Sequence, residues 1–466
     1  MSSSSSRSAV ERAGGGGEVV AGAATERGAA GSGKKGSEPA LSASLILLTI
    51  LPEPAEDGHD YRVLLLKRHE SSRTYTNAYV FPGGNVDPID GATSAWSSFF
   101  PSLAPFTVGV PSPPSTSASV SSSLSDVDLQ TVKLCALRET FEESGVLLFE
   151  ALSESEGAHE AALVQAEKTW SDKNGLRKTE LREEVHKDGG KFVEVFEKEL
   201  GGEVRPAVGR LTHWANWITP LGLPRRFDTH FFISILPRAS SSHFSHSLLA
   251  TCDGVETSSA EWLTPAEAIH RALAHVAQLP SHQASIPSTT AQYAPQPASM
   301  GDNPSNAIIL HPPQFYLLAE LAHNHKSYRS LLAGGSATGN SSSPPVVRPR
   351  TVRSFTPQIA RVPDSSGKTR GATLLPGDED FMPPSSDLGD AFVVRELGEG
   401  SAGGERKGQG KIGGRHRTYV LPPGKGVQGL TVLGVHRKGM QDELGEGWED
   451  MQAGDIGKSG PTQARL

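Results

Sequence analysis

The chain has 466 residues, with 44 Lys and Arg against 52 Asp and Glu, a formal net charge of −8 and a pI near 6.1. That balance supplies no basic surface for nucleic acid, and two cysteines, Cys135 and Cys252, exclude a disulfide framework or a cysteine-rich zinc site. Gly (50) and Pro (33) are abundant and hydrophobic residues reach only 36%, which favours one elaborated domain with long inserts over several packed domains.

Residues 1–40 are rich in Ser, Gly and Ala and read as a disordered tail. The opening MSSSSSRSAVERAGGGGEVV has no apolar leader core, and Glu11, Glu18 and Glu26 argue against a mitochondrial presequence. Nowhere does an apolar run approach the roughly 20 residues of a membrane span. Leu45–Leu51 and Tyr61–Arg68 read as buried strands joined by the turn-rich PEPAEDGHD, and a tight FPGG turn follows at Phe81–Gly84. A Ser/Pro-rich insert near 97–125 reads as a loop.

From Val127 to Ser144 the apolar residues fall at helical spacing, with Asp126 as N-cap and Gly145 as the stop. A polar helical stretch covers His159–Leu200. Strands are predicted at Leu211–Thr219, Phe227–Leu236 and Val255–Leu263, then a helix opened by Thr264-Pro265 and another over Phe315–Leu332. The alternating Trp214, Trp217, Phe231 and Phe232 read as core. Low-complexity stretches lie at 237–249, 279–306 and 334–350. The Gly/Pro-rich remainder, 336–466, carries short apolar runs at 371–375, 391–394 and 427–435 that suit a few added strands. Strands mixed with helices around one core imply an α/β (α+β) fold with a mixed sheet.

The chemistry is concentrated in Arg138-Glu139-Thr140-Phe141-Glu142-Glu143-Ser144-Gly145-Val146. On a helix Glu139, Glu142 and Glu143 share one face, where like charges cost roughly 0.2–0.5 kcal/mol per pair. A hard divalent cation turns that cost into a binding site, because Mg²⁺ takes carboxylates, water and phosphate oxygens. The sixteen histidines show no metal-ligand spacing.

This segment resembles the second half of the Nudix box, G-x5-E-x7-R-E-U-x-E-E-x-G-U with U apolar, except at Thr140. Gly84 matches the opening Gly, Asp90 stands at the first Glu, and the long insert replaces the usual seven residues. A surface loop lengthens at little cost, roughly 0.6 kcal/mol per doubling. Just upstream, Leu64–Gly84 (LLLKRHESSRTYTNAYVFPGG) is similar to the signature of coenzyme A diphosphatases, LLTxR[SA]x3Rx3Gx3FPGG; Leu66, His69 and Asn77 depart from it. WANWITP, RRFDTHFF and PPQFYLL resemble the branch related to the peroxisomal acyl-CoA diphosphatase.

The resemblance implies a Nudix α/β/α sandwich over 41–335 and a diphosphatase for coenzyme A or acyl-CoA. NADH or ADP-ribose is the alternative substrate, and a Nudix-fold binding protein without catalysis the other reading. It implies Mg²⁺ or Mn²⁺ held by Glu139, Glu142 and Glu143, and orientation of these glutamates by Arg138. A general base comes from Glu256 or Glu261, and Arg68, Arg73, Gly83 and Gly84 contact substrate. The ending Ala464-Arg465-Leu466 resembles the small–basic–Leu address read by the peroxisomal import receptor, with mitochondrion or cytoplasm as the other locations.

Overall fold

The computed structural model describes residues 38–101, 126–236, 250–277, 306–332, 346–378 and 381, with gaps at 71, 73–76, 154, 221–222, 224, 255, 353, 364–368 and 377. It also describes strand residues 395–396, 415–421, 431–438, 441–442 and 445–446. Arg73, Ala464–Leu466, the apolar run 391–394 and most of the low-complexity inserts lie outside these residues.

In chain order the elements are β1 (Ala40–Ile50), β2 (Tyr61–Arg68), β3 (Ala78–Val80), β4 (Gly83–Asn85), α1 (Thr93–Trp96), α2 (Asp126–Ser144) and β5 (Phe149–Ala151). Then come α3 (Glu156–Ser171), α4 (Gly175–Lys187), α5 (Gly190–Glu194), β6 (Val204–Pro206), β7 (Thr212–Ile218), β8 (Phe227–Ile235) and β9 (Thr257–Leu263). They continue with α6 (Pro265–Ala277), β10 (Ile309–Leu310), α7 (Pro312–Asn324), β11 (Ser354–Phe355), β12 (Gln358–Pro363) and β13 (Thr369–Leu374). The last are β14 (Arg395–Glu396), β15 (Arg415–Leu421), β16 (Thr431–Lys438), β17 (Gln441–Asp442) and β18 (Gly445–Glu446).

A nine-stranded mixed sheet runs β10-β3-β2-β1-β8-β7-β11, with β4 added to β1 and β9 to β2. β1 lies parallel to β8 and antiparallel to β2 and β4. Its apolar run is continuous because both faces are covered. Leu45 and Leu47 pack on the face of α2 to α5, and Ile46 and Leu48 on the face of α6 and α7. The strand begins at Ala40, five residues before the apolar run, because the ladders to β8 and β4 recruit Ser42 and Ser44.

Helices on both faces make the expected α/β/α arrangement, and a fourth layer is added. β12, β13, β15 and β16, with β14 at the edge, form a five-stranded sheet. Its Val420, Val432 and Val435, with Leu375, join the core that holds Ile269, Leu317 and Leu321. Residues 346–350, read from composition as low complexity, are held firmly: Arg350 stacks 3.8 Å from the Trp214 ring centroid and pairs with the buried Glu320 at 2.5 Å.

One further reading is corrected and one is refined. The helix predicted over Phe315–Leu332 ends at Asn324, and Tyr328–Leu331 forms a separate 3-10 turn. Asp60 breaks the run by accepting from Ser327 Oγ (2.6 Å) and the Tyr328 amide (2.7 Å). Residues 97–101 at the start of the insert read as loop carry no helix or strand, but their Phe99 and Phe100 are buried with Trp96, Phe192 and Phe196, which composition had not marked as core. The Ser/Pro composition around this aromatic pair hid its pattern.

Candidate active site

Helix α2 buries Val132, Leu134, Ala136, Leu137 and Phe141 and stops at Gly145, whose φ is +71°. Thr140, the departure from the apolar box position, is fully buried and donates its hydroxyl to the Ala136 carbonyl at 2.6 Å. Its polar atom is thereby satisfied within the helix, which lets Thr occupy an apolar position.

The opposite flank of α2 faces β4, which pairs with β1 through Gly83↔Ser44 and Gly84↔Ala43. The sequence therefore brings the box helix and the glycine corner together across the insert. Glu143 Oε2 accepts from the Gly83 amide at 2.9 Å. The Glu139 carboxylate lies on Gly84 so closely that an added Cβ would sit 2.5 Å from its oxygens. At Gly83 a Cβ would collide with the Ala43 carbonyl and the Ser44 backbone. Both glycines are required by close approach. Asn77, at the signature's Gly position, has φ +57°, a conformation in which Asn is the usual substitute for Gly.

Arg138 organises the carboxylates. Its Nε and Nη2 each donate to Asp90 at 2.9 Å, and Nη1 donates to Glu139 (2.9 Å) and Glu142 (2.7 Å). Asp90 is fully buried and is fixed in turn by the Asp87 amide at 2.9 Å. The sequence placed Asp90 at the first-Glu position without giving it a task; the structure makes it the bidentate partner of Arg138, 48 residues away. His186 of α4 approaches the other oxygen of Glu142 at 3.4 Å, a contact that sequence spacing could not have signalled.

Arg68, at the end of β2, lies 3.8 Å from Glu143 and 3.6 Å from Glu256. The two base candidates separate here. Glu256 is half exposed at the rim beside Arg68. Glu261 faces the other side of the sheet, because its neighbours Ala260 and Trp262 pack on the α2 face. There it accepts from Tyr79 (2.5 Å) and Arg271 (2.7 Å), so it is removed from the candidates for base.

Burial holds the Glu139 carboxyl above its ordinary pKa against the pull of Arg138, with like charge from Glu142 and Asp90 adding to the rise. Burial does the same to Glu143, with like charge from Glu139 adding to the rise. Among the described residues no three His, Cys, Asp or Glu side chains enclose an ion by themselves. Arg138 and Arg68 supply the countercharge instead. The donor set nevertheless suits a hard cation: it consists of carboxylate oxygens, and Glu143 Oε1 is buried with no hydrogen-bond partner. Arg68 Nε is likewise buried and unpartnered beside it.

A family model described as the NUDT19 Nudix domain matches residues 23–284, more than half of the chain. The acyl-coenzyme A diphosphatase NUDT19 of Xenopus laevis is 34% identical over 288 residues, covering 58% of this chain and 62% of the relative. The Homo sapiens protein of that name is 28% identical over 246 residues, covering 50% and 60%. A putative nudix hydrolase 7 of Caenorhabditis elegans is 27% identical over 222 residues, covering 48% and 53%. The chain thus spans a little over half the length of these relatives. A solved Nudix hydrolase from Alicyclobacillus acidocaldarius aligns with a TM-score of 0.36 at 20% identity, over 61% of this chain and 91% of that one.

Proposed function

The chain belongs to the NUDT19 Nudix domain family, and from that premise we propose that it hydrolyses the diphosphate of coenzyme A or an acyl-CoA. The products are 3′,5′-ADP and (acyl-)4′-phosphopantetheine. One observation carries the reading: the Glu139 carboxylate packs on the backbone of Gly84 and Glu143 accepts from the Gly83 amide, so the box carboxylates are gathered at the glycine corner. Three relatives carry the name of that activity.

The reaction is an in-line displacement in which water attacks phosphorus and the anhydride P–O bond breaks. Glu139, Glu142 and Glu143 would hold Mg²⁺ or Mn²⁺, which when bound would neutralise diphosphate charge and acidify the attacking water. Arg138, clamped by Asp90, fixes the directions of Glu139 and Glu142. Glu256 takes the proton of the water, a role suited to a carboxylate at the rim. Arg68 grips a phosphate, and its unpartnered Nε supports that role. Arg73 is assigned the same task from the signature alone.

Initial rates with CoA, acetyl-CoA, NADH and ADP-ribose, read by chromatography of the products, test the proposal. Preference for CoA or its thioester is the expected result; a clear preference for NADH or ADP-ribose refutes the substrate, and no turnover of any of them refutes catalysis. Peroxisomal residence, with the import receptor as partner, is supported by the tripeptide Ala464–Leu466 alone. Its deletion is expected to release the tagged protein to the cytosol, and unchanged localisation refutes the address.

A further inference from the structure

The last carbonyls of a helix have no partner within it and must find one outside. In α2 three of them are taken by parts of the chain far away in sequence. Arg182 of α4 donates to the Glu142 carbonyl from both Nε (3.2 Å) and Nη2 (2.9 Å). The Thr257 hydroxyl lies 3.3 Å from the Glu143 carbonyl, and the Thr251 amide donates to the Ser144 carbonyl at 2.9 Å. Arg182 also reaches the second group directly, donating to Thr251 Oγ1 (3.0 Å) and to the Thr251 carbonyl (3.2 Å).

One buried guanidinium therefore bridges the end of the box helix and the segment 250–257. Gly145 gives it room, since a Cβ there would lie 3.3 Å from Nη1 at a positive φ. A cation at this end also complements the helix dipole. The bridged segment is ordered around Asp253, whose Oδ1 accepts from the amides of Glu256 (3.1 Å) and Thr257 (2.8 Å). The segment carries Glu256, which takes its place beside Arg68 and, through Arg68, beside Glu143.

We infer that Arg182 is a positioning residue for hydrolysis: it fixes the distance between the carboxylates of α2 and Glu256 on the neighbouring segment. The inference deepens the proposed function and rests on its assignment of Glu256 as base. Arg182 touches neither carboxylate, so its effect passes through the backbone of Glu142 and of Thr251. A displacement on the order of 1 Å between a base and its water costs up to about 100-fold in rate. Losing one of several anchors to the segment is expected to lower kcat by about 10- to 30-fold, with KM changed less than about 2-fold because Arg68 is untouched.

The test is a double-mutant cycle on the full chain with CoA and Mn²⁺, using Arg182→Ala, Glu256→Gln and the pair. Once the base is gone its position no longer matters, so Arg182→Ala is expected to slow the Glu256→Gln enzyme by less than about 2-fold. Arg182→Lys, which keeps one donor, is expected to restore part of kcat. Where Arg182→Ala fails to fold, Thr251→Val removes the hydroxyl end of the bridge and is expected to show the same non-additivity with a smaller loss. Losses that multiply in the pair, or wild-type kcat in Arg182→Ala, overturn the inference. A Glu256→Gln enzyme at wild-type rate overturns the base assignment itself and the coupling with it, an outcome distinct from a slow Glu256→Gln enzyme whose losses multiply.

Discussion

Gly84→Ala isolates the placement of Glu139 from the stability of the fold. The new Cβ would stand 2.5 Å from the Glu139 carboxylate oxygens, where ordinary contact begins at 3.4 Å. The carboxylate must therefore retreat by about 1 Å, and misplacement on that scale costs up to about 100-fold in rate, or about 2.7 kcal/mol of barrier. Gly84 is not among the residues with positive φ, so the backbone accepts Ala and the unfolding free energy is expected to fall by only about 1 kcal/mol. Initial rates over a range of CoA and Mn²⁺ concentrations, beside urea unfolding of the same sample, separate the two quantities. Gly83→Ala is the contrast: its Cβ meets the backbone of β1, which cannot retreat, and stability is expected to fall with activity. A Gly84→Ala enzyme within about threefold of wild-type kcat would refute the reasoning, because Glu139 would not need the place that the glycine leaves for it.

Asp90→Ala leaves the buried Arg138 without its bidentate partner, and an uncompensated buried charge costs 3–5 kcal/mol. Glu139 and Glu142 still face Arg138, so a loss of about 3 kcal/mol by urea midpoint at unchanged m-value is expected, and less than about 1 refutes the role. In the metal-free protein, Glu139 and Glu143 keep protons that the unfolded chain releases near pH 4.5. The folded state then binds more protons than the unfolded one, and stability falls as pH rises above that value. Chemical denaturation at successive pH values in EDTA reads this slope; Mn²⁺ is expected to flatten it, and stability rising with pH across that window contradicts the burial of these carboxyls. Glu256→Gln is expected to lose about 100-fold or more in kcat while Glu261→Gln stays near wild type; the reverse order would restore Glu261 as base.

The box helix and its C-terminal end were legible because a period of 3.6 places Glu139, Glu142 and Glu143 together and Gly145 stops the run; Asp126, read as the N-cap, is the first helical residue. The glycine corner was read as a turn, whereas Gly83–Asn85 forms the short strand β4 on β1; the buried strands were legible as apolar runs. Long-range pairings were not. Asp90 and Arg138 meet across 48 positions, and Arg182 meets Glu142 across 40, inside a charge-mixed helix whose spacing marks no one arginine. The choice between Glu256 and Glu261 required strand parity: the ladder of β9 on β2 sets Glu261 opposite Leu65, on the face away from α2. Of the added sheet, the apolar runs at 371–375 and 427–435 overlap β13 and β16, while β12 and β15 were not read as strands, since they place few apolar residues inward, as Ala360 and Val420 show.

Binding of Mn²⁺, followed by calorimetry and by loss of the free-ion EPR signal, tests most directly whether the glutamates beside Gly83 and Gly84 hold a divalent cation. The full chain is expected to bind Mn²⁺ saturably, with Glu139→Gln and Glu143→Gln each weakening affinity at least tenfold while the fold remains intact. Equal affinity in the wild-type protein and both variants would contradict the account.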